Sequence, residues 1–145
     1  MSDYQKKIRF TVLGEPHGKG RAKFRSTGKF VTAYTPTETV NYENLIKVEY
    51  RRQCGKKSFD KDVPIDMRIT AYYSIPKSVS KKKRQLMLDH KIRPIKKPDS
   101  SNITKSVEDA LNKIAYHDDA QIVDSQIRRF YSDTPRVVVT IQEAE

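Results

Sequence analysis

Five charged side chains stand close enough in the chain to do chemistry together. Asp99 and Lys105 lie in "KKPDSSNITK", and Asp118, Asp119 and Asp124 lie in "HDDAQIVD". Carboxylates brought together repel one another unless a cation sits among them. A hard Mg²⁺ ion suits such a group, because it takes a few carboxylates, keeps waters and reaches phosphate oxygens. An ion of that kind orients and activates water and stabilises charge in an in-line phosphodiester displacement. Lys105 then fits as a cation beside the charge of the transition state. Plainer readings stand beside this one. Asp99 is also suited to partnering a helix dipole, "HDDAQ" to an ordinary acidic turn, Asp109 and Lys105 to a solvated helix flank, and His117 to an exposed turn.

These residues need elements to position them. Ser100 or Ser101 is placed to cap a helix running to about Lys113, with Ile103, Val107, Ala110, Leu111 and Ile114 at helical spacing. Asn102, Lys105 and Asp109 fall within about 60° of one another on the flank away from that stripe. The "DD" pair precedes a strand. If that strand packs beside the helix, the carboxylates converge.

The remaining pattern predicts a mixed sheet. "IRFTVL" alternates as a half-buried strand. "IDMRITAYYSI" alternates more cleanly, with Ile65, Met67, Ile69, Ala71, Tyr73 and Ile75 on one face. "TPTE" predicts a helix capped at Thr35, with Pro36 at its first position and Glu38 closing a capping box. That helix runs to about Cys54 and stops at Gly55. Ser80 caps a short basic helix with Leu86 beneath it. "QIVDSQIRRFYSDTPRVVVTIQ" reads as a hairpin turning at "SDTP", with Val137, Val139 and Ile141 facing inward. Tyr42, Tyr50, Tyr72 and Tyr73 read as core or rim. The expected fold is α/β (α+β): one domain over residues 1–145, with helices packed on a mixed β-sheet.

Composition narrows the partners. Lys plus Arg number 29 against 18 Asp plus Glu, a net charge of +11, which favours a polyanion such as nucleic acid. The loop "GEPHGKGRAKFRSTGKFV" carries Lys19, Arg21, Lys23 and Arg25 as candidates for DNA-backbone contact. It lacks the spacing of a nucleotide phosphate loop, and Gly20 stands where Ser or Thr must hold magnesium. With one cysteine, Cys54, the chain reads as cytoplasmic. Three scattered histidines argue against a structural zinc site. No apolar leader and no run of about 18 apolar residues is present.

Taken together, "KPDSSNITKSVEDALNKIAYHDDAQIVD" resembles the RusA family of Holliday-junction resolvases. That family's helix opens with Asp-x-Asp-Asn-x-x-Lys, continues with Asp-Ala-Leu, and is followed by Asp-Asp-x-Gln and an apolar pair. Asp99, Asn102 and Lys105 match the opening. Asp109, Ala110 and Leu111 match the middle, and Asp118, Asp119 and Gln121 match the close. The chain departs at Ser101, where the pattern often has a second acid. A serine oxygen is a neutral, weaker magnesium ligand, so water, Asp118, Asp124 or Glu108 would have to compensate.

The resemblance implies a Mg²⁺-dependent endonuclease, with Mn²⁺ as a possible substitute. It would act as a homodimer that binds four-way DNA junctions and makes paired nicks in recombination and repair, in a bacterium, phage or prophage. Asp99, Asp118, Asp119 and Ser101 are the candidate metal ligands. Lys105 is the candidate phosphate contact, with Asn102 and Asp109 in support. A non-catalytic junction-binding protein of the same fold remains the alternative. A basic RNA- or ribosome-binding protein would have no use for two acidic knots.

Overall fold

The computed structural model describes residues 6–20, 23–34 and 37–145. Its main sheet follows the alternation of apolar side chains. β1 (Lys7–Leu13) buries Ile8, Phe10 and Val12. β4 (Ile65–Ser74) buries Ile65, Met67, Ile69, Ala71 and Tyr73 on one face. Asp66 is buried on the other face, where its carboxylate accepts from Arg68 Nε (3.1 Å) and Gln142 Nε2 (2.9 Å). β5 (Ile122–Ser132) and β6 (Arg136–Glu143) complete the sheet in the order β1-β6-β4-β5. β4 runs antiparallel to β6 and parallel to β5, so the sheet is mixed.

The expected C-terminal hairpin does not form. β5 and β6 each pair with β4, which lies between them. The reason is burial: β4 carries the longest apolar row, and the central place satisfies the backbone groups on both of its edges. Val137, Val139 and Ile141 do face the core, fully buried.

α1 (Thr37–Cys54) buries Tyr42, Ile46, Tyr50 and Cys54 at four-residue spacing, the stripe of an amphipathic helix. It packs on β1, where Tyr50 meets Phe10 edge to face at 5.3 Å, and on α3 (Ser100–Leu111). Gly55 ends α1 at φ 64°, as predicted. The predicted cap at Thr35 and Pro36 lies outside the described residues. α2 (Lys81–Leu88) is capped by Ser80, whose Oγ accepts from Lys83 N (3.2 Å). Met87 rather than Leu86 is the buried residue of α2, so the helix is turned one position from the expected face. α3 buries Ile103, Val107, Ala110 and Leu111 and ends two residues short of Lys113.

The basic loop is a hairpin of its own. β2 (Lys23–Thr27) and β3 (Phe30–Tyr34) pair only with each other and turn at Gly28 (φ 66°). Phe24, Phe30 and Val31 stand 72%, 73% and 68% exposed, so this arm has no share in the core. Among the described residues, no helix is long and apolar enough to cross a membrane.

Candidate active site

α3 begins at an acid. Asp99, rather than Ser100 or Ser101, is the N-cap: its Oδ1 accepts from Asn102 N (3.0 Å). An ionised carboxylate at this place satisfies a free helix N–H and lies at the positive end of the helix dipole, so it outcompetes the neighbouring serines. Ser101 Oγ sits 3.2 Å from the same carboxylate oxygen and donates to it. Ser101 thus orients Asp99 in this structure.

The segment that delivers Asp99 is clamped from beneath. Arg129, on β5, donates from its guanidinium to the carbonyls of Lys96 and Pro98 (3.1 Å to the latter) and to Tyr73 Oη (3.0 Å). Tyr73 Oη in turn donates to Pro98 O. Sequence reasoning passed over Arg129, because a single arginine in a strand of a basic chain carries no local signal.

The "DD" turn is built by Gln121. Its Oε1 accepts from the backbone N–H of His117 (2.8 Å) and Asp118 (3.0 Å). Its Nε2 donates to the carbonyls of Asp60 (2.8 Å) and Val63 (3.0 Å). Asp118 caps the single 3-10 turn Asp119–Gln121 by accepting from Ala120 N (2.9 Å). The Asp-Asp-x-Gln spacing therefore has a mechanical meaning: Gln121 ties a reverse-capped turn to the chain before β4, and both carboxylates are left exposed. His117 is exposed as expected.

These acids act on one another, with Lys105 and Lys113 as the nearby opposing charges. The N–H of Ala120 and the neighbouring Asp119 lower the pKa of Asp118. Asp118 raises that of Asp119, with Asp109 adding to the rise and Lys105 opposing it. Glu108 is half-buried, and burial together with Asp119 and Asp109 pushes its carboxyl up. Asp118, Asp119, Glu108 and Asp109 therefore form one electrostatic group at the C-terminal half of α3. Asp99 stands at the helix's other end, ten residues before Asp109, or about 15 Å along the axis. Among the described residues, no three His, Cys, Asp or Glu side chains come together as a group able to hold a metal ion. Asp124 belongs to neither group. It is the register partner of Asp66 on the opposite face of the sheet.

The candidate cations divide as well. Lys19 lies between Glu43 (2.6 Å) and Asp109 (3.1 Å). Burial opposes its charge, but both carboxylates hold its pKa above the usual value. Lys105 is exposed and stands 4.0 Å from Asp109, one helical turn away. Lys23 and Arg25 lie on the exposed β2–β3 arm, with Arg25 over the ring of Tyr34 (5.1 Å). Arg21 lies outside the described residues.

Residues 14–142 match the family model described as endodeoxyribonuclease RusA. That match defines the class of protein, a hydrolytic nuclease acting on DNA. The chain belongs to the RusA family. It is 37% identical over 141 residues to the uncharacterized protein YqaN of Bacillus subtilis (strain 168), covering 94% of this chain and 96% of YqaN. It is 28% identical over 126 residues to the crossover junction endodeoxyribonuclease rusA of Lactococcus phage r1t, covering 86% of each.

Proposed function

We propose that the chain, as one nuclease domain, is a Mg²⁺-dependent endonuclease that resolves four-way DNA junctions by paired symmetric nicks during recombination and repair. Family membership supports the reaction class. The single observation that carries the site is the exposed carboxylate pair Asp118 and Asp119, with Glu108 and Asp109 beside it, in a chain of net charge +11. An all-oxygen, exposed, acid-rich donor set fits a hard divalent cation. Asp119 and Asp118 would hold it, with Glu108 and Asp109 close by and Asp99 apart, at the other end of α3. Such an ion would activate water and neutralise charge developing on phosphate.

The chain's own residues do the rest. Lys105 contacts the phosphate: its side chain is mostly exposed, and its pairing with Asp109 is long, at 4.0 Å. Asn102 N–H holds the Asp99 carboxylate, Ser101 Oγ reinforces it, and Arg129 fixes the segment before it. Lys19 anchors Asp109 behind the acid group. Lys23 and Arg25, joined by Arg21, supply salt-sensitive contact with the DNA backbone. Two symmetric nicks on a junction of approximate two-fold symmetry call for two related sites, hence a homodimer. Bacterial and phage relatives agree with action on DNA in a bacterial cytoplasm.

The test is direct. The purified chain is incubated with a synthetic four-way junction and with linear duplex of the same sequence, in Mg²⁺, in Mn²⁺ and in chelator. Paired cuts in the junction, dependent on the divalent ion, are expected. Tight junction binding with no cutting in either metal would establish the non-catalytic alternative.

A further inference from the structure

Away from the acids, three arginines converge on two stacked rings. Tyr72 and Phe130 are register partners on β4 and β5, with centroids 6.0 Å apart and planes 29° from parallel. Arg136 Cζ lies 3.9 Å from the Tyr72 ring centroid. Arg93 Cζ and Arg128 Cζ lie 4.3 Å and 5.0 Å from that of Phe130. Tyr72 alternates with the buried row of β4, so the cluster occupies the sheet face opposite the one that α1 and α3 cover.

Two of the guanidinium groups are also held by hydrogen bonds. Arg136 donates to Ser132 Oγ (3.2 Å) and Thr134 O (2.7 Å), and Arg93 Nε donates to Arg129 O (3.0 Å). Among the described residues, none of the three shares an ion pair with a carboxylate. Of the acids on or beside this face, Asp133 pairs with Arg84 and Asp66 with Arg68, while Asp124 lies six residues along β5 from Phe130. Three like charges gathered on one ring pair repel one another. The ring faces offset part of that repulsion, and a bound anion would relieve the rest. Planar guanidinium forks match phosphate oxygens. Side chains already held on rings also lose less freedom when a ligand arrives.

We infer that Arg93, Arg128 and Arg136 form a phosphodiester-backbone site that grips a DNA segment distinct from the one at Asp119. The separation follows from the strand. Phe130 lies eight residues along β5 from Ile122, where the acidic turn ends, or about 26 Å at the rise of a strand. The naming of DNA as the occupant rests on the nuclease reading; the anion site rests on the cluster alone.

The experiment is junction binding by fluorescence anisotropy without divalent metal, across a series of salt concentrations. The parent is compared with the triple variant Arg93→Gln, Arg128→Gln, Arg136→Gln and with the triple variant carrying Lys at the same positions. Each phosphate contact contributes roughly 0.9 to the slope of log K against log salt. The Gln variant should therefore lose roughly 2–3 from the slope, while the Lys variant keeps most of it. A Gln variant that melts like the parent and keeps its slope overturns the site. So does a Gln variant whose only change in sedimentation is the loss of a dimer, since that result puts a second copy on this face. If the triple variant does not fold, Arg128→Gln alone, at an exposed position, should lose about 1 from the slope. No cleavage is read, so a parent that binds steeply but never cuts would retire the nuclease reading and leave this site standing.

Discussion

Glu108 shows what a single misplaced charge does in this site. Its pKa is raised by burial, Asp119 and Asp109, so the folded chain holds its proton more tightly than the unfolded one. The stability it contributes is fully present below the ordinary glutamate value near 4.5 and is lost as pH rises through the raised folded value. Glu108→Gln removes that loss. Without divalent metal, the variant's Tm should exceed the parent's at neutral pH and converge with it near pH 4. Equal offsets at both pH values would show that the buried charge has no part in stability. Asp99 and Ser101 illustrate the limits of reading residues locally. Three adjacent polar residues can all cap a helix, and only the carboxylate's charge at the dipole decides among them. Ser101's hydroxyl then has a task, orienting Asp99, that no motif announces.

At the scale of elements, the short strap Gly18–Gly20 decides where the site's parts sit. Lys19 N donates to Asn102 O (3.0 Å) and Gly20 N to Thr39 Oγ1 (2.9 Å), so the strap joins α3 to α1. A Cβ at Gly18 would stand 2.8 Å from Pro98 Cβ and 3.0 Å from Asn102 Cβ. Gly18→Ala should therefore cost about 1–3 kcal/mol by overpacking, read as a lowered urea midpoint with an unchanged m-value. A midpoint equal to the parent's would show that the strap is free to lift. β4 was legible because strict alternation over ten residues admits one register. The β5–β6 hairpin was misread for the opposite reason. A turn sequence reports local geometry, but strand pairing is decided by which remote edge must be covered. Arg129 and the Arg93–Arg128–Arg136 cluster were invisible because their partners come from distant strands and loops.

On the scale of the whole molecule, the charges are sorted. Carboxylates gather at one end of α3 and its neighbouring turn, and free arginines gather on the far face of the sheet. Net charge predicted the class of partner, and the block from Asp99 to Asp124 predicted the chemistry, but neither shows how the two are separated across the fold. Under the proposed function, that separation would let a basic chain hold DNA while a small acidic group meets the phosphate to be cut. Asp119 tests the division most directly. Its exposed carboxylate is the one raised by neighbouring acids, and Asp119→Asn removes its charge with little change of shape. Cleavage and binding of a four-way junction are measured for parent and variant under the same magnesium and salt. Cutting should be lost while binding stays equal or tightens, because a negative charge near phosphate is gone. A variant that cuts as fast as the parent would contradict the placement of the active site at the "DD" turn.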